Sequence, residues 1–201
     1  MLPVVVAMSL SLLVATPTPR DVRQALNVVS ACDNLKSTRC LRAASTLERG
    51  GDRVFKLITP RFSKMSPLGQ MLALSVYGGH PGHEATMGLA KLVLKAKLAP
   101  AIRSVAIQTL ADRFDGRRTR RLVTATLIKV AKDKETVVRA AAIRALGNRA
   151  TTGDRHVITI LRRAATDESA PVRTEAILGL GLTGHTSAAP LLIAALEDKI
   201  L

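Results

Sequence analysis

The sequence predicts an all-α fold, a right-handed solenoid of stacked antiparallel helix pairs. Three observations carry that expectation. A ten-residue frame recurs: residues 138–147 and 172–181 both read Val-Arg-x-x-Ala-Ile-x-x-Leu-Gly, with Arg139 and Arg173 34 positions apart. Residues 102–111 take the same frame 36 positions upstream. Within the frame Val138, Ala142, Ala145 and Leu146 fall at i, i+4, i+7 and i+8, one face of a helix. Finally, aromatic residues are only 2% of a chain that is 47% hydrophobic, so Leu, Ile, Val and Ala must fill the core. That suits close helices and suits strands poorly.

Residues 1–15 are apolar and uncharged, too short to span a bilayer as a helix. They match the apolar region of a secretory signal peptide, followed by Thr16, Pro17, Thr18 and Pro19. No Lys or Arg precedes the run, and Leu13 stands where a small residue is usual if cleavage follows Ala15. The other reading is an apolar first helix that caps the stack. Cys32 and Cys40, the two cysteines of the chain, could close a short disulfide loop in an oxidising compartment or remain two buried thiols. Export and the disulfide stand together. The expected layout is residues 1–19 as leader, 20–64 as a degenerate N-terminal helical cap region, and 65–201 as the repeat domain.

Weaker copies of the frame lie over residues 69–78 and 40–47. Pro100 and Pro171 precede the first core residue of their copies, where the missing donor does no harm. Gly147 and Gly181 follow the last core Leu, the place of a helix-ending glycine. Between copies run second helical patterns: residues 85–98, then 122–131 with Leu122, Ala125, Ile128 and Val130, then 156–165 with Val157, Leu161 and Ala164, then 187–196. About four and a half helix pairs are therefore expected. A lone pair cannot bury its apolar face, so neighbours must stack.

Asp133 precedes Arg139 by six residues, and Asp167 precedes Arg173 by six. Such pairs can bridge adjacent repeats as a polar ladder. In these Asp-x5-Arg pairs, the Val-Arg-x-x-Ala-x-x-x-Leu-Gly frame and the period near 34, the sequence resembles the HEAT-repeat family. The likeness is to the short bacterial HEAT-like repeats related to those of phycobilisome lyases. It is strong over residues 100–201, and Lys97 stands where the Asp before Arg103 is expected. The resemblance implies a protein-interaction or scaffold module.

Chemistry is sparse. His80, His83 and Glu84 around one turn make the best metal constellation, short of the three or four convergent ligands a site needs. Nucleophile motifs, a phosphate-cradling loop and a dinucleotide fingerprint are absent, so neither enzyme activity nor a cofactor is expected. The net charge of +15 attracts anions. Arg117, Arg118, Arg120 and Arg121 form its sharpest cluster, and arginine's planar fork suits carboxylates and phosphates. The expected partner is an acidic protein met in the periplasm or outside the cell. The alternatives are a cytoplasmic binder of nucleic acid or another anionic ligand, or a lyase-like enzyme or enzyme partner. The scarcity of aromatics for base stacking argues against nucleic acid. An apolar last helix, around residues 191–196, suggests docking on another molecule or on a second copy of the chain.

Overall fold

The computed structural model describes residues 16–34, 36–113, 116–151, 153–185, 189–190 and 193. Among them the regular structure is helical throughout: α1 (Pro19–Ser30), α2 (Thr38–Glu48), α3 (Arg53–Arg61), α4 (Pro67–Gly79), α5 (His83–Val93), α6 (Pro100–Ala111), α7 (Gly116–Val130), α8 (Thr136–Arg149), α9 (Arg155–Ala164) and α10 (Ala170–Thr183). Proline sits in the first two positions of α1, α4, α6 and α10, where no helical donor is lost. Side-chain caps fix other starts. Thr18 accepts from the Asp21 amide at 3.2 Å while Asp21 accepts from the Thr18 amide at 2.8 Å. Ser66 accepts from the Gly69 amide at 3.0 Å. Pro60 falls in the last turn of α3, which tightens into a 3-10 turn over Phe62–Lys64.

The helices stack in two rows. First helices α2, α4, α6, α8 and α10 pack successively on one another, and α3, α5 and α7 do the same beside them, with α9 continuing the second row against α8 and α10. Helix α1 leans on α2 and α4 at the N-terminal end. Four pairs, plus the first helix of a fifth, thus form a helical repeat solenoid. The second helix expected over residues 187–196 lies largely outside the described residues, as does the apolar stretch 1–15. The fold is already engaged before residue 20: Pro17 is buried, and its carbonyl accepts from the Arg53 guanidinium.

A continuous core of Leu, Ile, Val and Ala runs through the stack, including Val138, Ala142, Ala145, Leu146, Val157, Leu161 and Ala164. The face of α7 differs from its sequence expectation. Its buried residues are Thr119, Val123, Thr126, Leu127 and Val130, whereas Leu122 and Ile128 are half-buried and Ala125 is exposed. Two threonines belong to the buried stripe, which hid it. Thr126 satisfies its hydroxyl on the Leu122 carbonyl at 2.8 Å and presents its methyl to the core. Gly147 and Gly181 also differ: α8 and α10 continue past both, and the left-handed cap falls on Gly184, at φ 62°. The place of Gly147 is explained by packing. A Cβ there would stand 2.5 Å from the Gly179 Cα, so these two helices meet backbone to backbone.

Tyr77, the only tyrosine, is wholly buried and shares a 2.7 Å hydrogen bond with the Thr59 hydroxyl. Its ring lies 4.8 Å from that of Phe55. Burial pushes its phenol up to about 12, against a smaller opposing pull from Thr59. A phenol that ionises later folded than unfolded supports the fold below its ordinary value near 10 and loses that support as pH rises toward 12. We expect the phenolate absorbance, a single-residue signal in a chain with no Trp, to appear near pH 12 in the folded protein and about two pH units earlier in denaturant. A midpoint near 10 under native conditions would place Tyr77 in contact with water.

Candidate binding surface

The positions of charge follow from the two-row plan. Helices α7 and α9 together carry Arg117, Arg118, Arg120, Arg121, Lys129, Arg155, Arg162 and Arg163 and no carboxylate. All eight are exposed. Arg117, Arg118, Arg120 and Arg121 fan out around the buried Thr119 in the first turns of α7 and make no salt bridge among the described residues. The helix macrodipole adds partial positive charge at that same end. The second-helix side over α7 and α9 is therefore a cationic face with unspent hydrogen-bond donors.

The first-helix side uses its arginines differently. Arg139 reaches forward to the next repeat and grips Asp167 with two bonds, of 3.0 and 2.9 Å, while a third donor reaches the Asp133 carbonyl at 2.9 Å. Arg103, 2% exposed, reaches Asp133 at 2.5 Å and the Val93 carbonyl at 3.1 Å. Arg173 donates to the Asp167 carbonyl at 3.1 Å. The rung thus joins the Arg of one repeat to the Asp of the next, and within a repeat the Arg meets a backbone carbonyl. Lys97 stands where the preceding repeat would find its Asp, and that repeat has Gln70 in place of the arginine; Arg103 itself meets the Val93 carbonyl at the end of α5.

Electrostatics follow this geometry. Arg139 holds the Asp167 carboxyl below the usual range against the effect of burial, and Asp167 in turn raises Arg139. For Asp133, burial pushes upward, but bonds from Arg103 and the Glu135 amide bring the carboxyl below its ordinary value.

A second arginine ladder, unforeseen from the sequence, ties the opposite ends of the first helices. Arg113 donates to the Tyr77 and His80 carbonyls at the end of α4. Arg149 donates to the Ala111 carbonyl and, at 2.9 Å, to that of Arg113 at the end of α6. These arginines satisfy helix-terminal carbonyls of the preceding repeat. Their spacing of 36, equal to that of Arg103 and Arg139, was the available signal. Burial, and next to it the charge of Arg120, push Arg149 down.

The remaining candidates are placed as follows. Cys32 and Cys40 are joined in a disulfide that links the loop after α1 to the first turn of α2. His80 lies 3.2 Å from Asp52, with its ring tilted against that of Phe55 at 5.1 Å, while His83 and Glu84 open α5. Among the described residues no group of three His, Cys, Asp or Glu is placed to hold a metal ion. No described helix is long and apolar enough to cross a membrane. Leu178 and Leu182 are exposed on α10.

Comparison with known proteins adds the following. Residues 124–200 match the family described as HEAT repeats. Curated proteins gave no match. Among solved structures, a designed armadillo repeat protein in complex with a (KR)4 peptide is similar at 13% identity, over 81% of this chain and 82% of that one, with a TM-score of 0.47.

Proposed function

We propose that this chain, whose residues 124–200 match the HEAT-repeat family, is a non-enzymatic scaffold that binds an acidic protein through the cationic face of α7 and α9. One observation carries the reading: eight exposed cations on two neighbouring helices with no carboxylate among them, four of them in the first turns of α7. The arginines of α6, α8 and α10 are engaged within the fold, whereas these eight cations make no salt bridge among the described residues. Arginine donates two parallel bonds to a carboxylate and so reads an acidic side chain by shape as well as charge.

Export to the periplasm or beyond fits the Cys32–Cys40 disulfide, which persists in oxidising compartments. It fits the apolar leader pattern as well. In that setting an acidic protein is a more accessible counterpart than a nucleic acid.

The reading is tested with a soluble glutamate-rich peptide as probe. Replacing Arg117, Arg118, Arg120 and Arg121 together by alanine is expected to weaken its binding on the order of tenfold or more. These side chains are exposed, so helicity and melting should stay near those of the parent. Equal affinity in a folded variant would remove this face from the account.

A further inference from the structure

The second-helix row is not closed throughout. Helix α3 packs on α5 and α5 on α7, whereas α7 and α9 approach each other less closely. The space between them is a cavity of about 650 Å³, walled by Ile128 of α7, Lys132 of the turn that follows it, and Ile160 and Arg163 of α9, with Ile143 of α8 as its floor. A smaller cavity of about 120 Å³ lies between Arg120 and Thr124 of α7 and Val157 of α9, over Leu146. Arg139, Ile143, Leu146 and Arg149 line one or other cavity and follow one stripe of α8, so the two lie in line along one side of that helix, between α7 and α9.

The interior of this cleft is apolar and its edges are cationic. Ile128 and Ile160 are half-buried and face each other's helix across it. Lys132 and Arg163 at one end, and Arg120 toward the other, are exposed and make no salt bridge among the described residues. The two carboxylates at its margin are spoken for: Asp167 is gripped by Arg139, and Asp154 accepts from the Thr151 amide and hydroxyl at 2.9 and 3.0 Å. The larger cavity falls within the range of about 300–1,000 Å³ typical of sites that enclose a compact ligand.

We infer that the α7–α9 cleft seats an acidic peptide segment of the partner, with one or two large aliphatic side chains inserted between Ile128 and Ile160 and flanking carboxylates on Lys132, Arg163 and Arg120. This deepens, and rests on, the acidic-partner reading above. The apolar anchor supplies affinity that does not fade with salt, and the rim charges set orientation and encounter.

The test uses the full chain and two peptides, one with two leucines set in a run of glutamates and one with serines in their place. The wild type is expected to bind the leucine peptide about tenfold tighter or better, the effect of burying one large aliphatic side chain. Thr159→Trp, which fills the cleft from an exposed position on α9, should bring the two peptides to parity and leave the serine peptide unchanged. A second variant, Lys132→Glu with Arg163→Glu, should weaken both peptides without altering their ratio, and it serves if the tryptophan variant fails to fold. Equal binding of the two peptides to the wild type overturns the cleft assignment and leaves the acidic-partner reading standing. Binding of neither peptide overturns both. Binding of phosphatidylglycerol vesicles that Thr159→Trp abolishes, with the peptide ratio untouched, overturns the assignment in favour of a membrane surface.

Discussion

Replacing Gly147 by valine is expected to force α8 and α10 apart and to cost about 3 kcal/mol or more, at the upper end of overpacking effects. The added Cβ would lie 2.5 Å from the Gly179 Cα, and the opposing contact from Gly179 is 2.8 Å. A side chain in the way could rotate; helix backbone cannot, so relief requires moving α10 as a body. In a stack, stability is carried by nearest-neighbour interfaces, and loss of one loosens the end beyond it. Hydrogen exchange should accordingly quicken in α10 while α4 to α6 keep their protection. Gly78 is the control, since it occupies the matching place of the repeat frame in α4. A Cβ there meets only the Thr109 methyl at 3.7 Å, an ordinary contact. Gly78→Ala should be neutral or stabilising by up to about 1 kcal/mol through helix propensity. Similar penalties at both glycines would contradict the close approach.

Removing Arg139 is the second large perturbation. Arg139→Ala leaves Asp167 without its two-bond partner and the Asp133 carbonyl without a donor. With Arg139 8% exposed, breaking the pair from one side should cost about 3 kcal/mol. Asp167 also accepts from the Ser169 amide, so α10 loses part of the order at its start. The pH dependence has a definite sign. Asp133 and Asp167 titrate below the ordinary carboxylate value when folded, so their contribution is present above that value and lost as pH falls through the folded values. Wild type should lose stability in acid more steeply than Arg139→Ala, which has already lost the Asp167 share. Unfolding curves across an acid series measure this, and parallel curves would deny the rung a role.

How much of this was legible in sequence depended on which signal each residue left. The Arg103, Arg139 and Arg173 frame was legible because one polar residue recurs at a fixed place among apolar ones. Its partner across the repeat boundary was legible only as a spacing, since Asp133 and Asp167 stand in two relations to their arginines. The Arg113 and Arg149 ladder left the same 36-residue interval, yet Arg113 lies past the end of α6 and Arg149 is the last residue of α8, where periodicity gives no face. The stripe of α7 was obscured because Thr119 and Thr126 do the work of apolar residues. That rotation matters for the candidate site: Ile128, expected in the core, faces the α7–α9 cleft. Gly78 and Gly147 show the opposite case, equal in the frame and unlike in surroundings. The arginine run itself was plain in sequence, but the cleft beside it depends on how far α7 stands from α9, which no single-helix pattern encodes.

On the proposed reading, α7 and α9 bind carboxylates on a protein partner. Its most direct test is the affinity of the glutamate-rich peptide across a salt series, for the wild type and for the variant with alanine at 117, 118, 120 and 121. Wild-type affinity is expected to fall steeply with salt, and the variant's dependence to be markedly shallower. Identical salt dependence in the two proteins would contradict it.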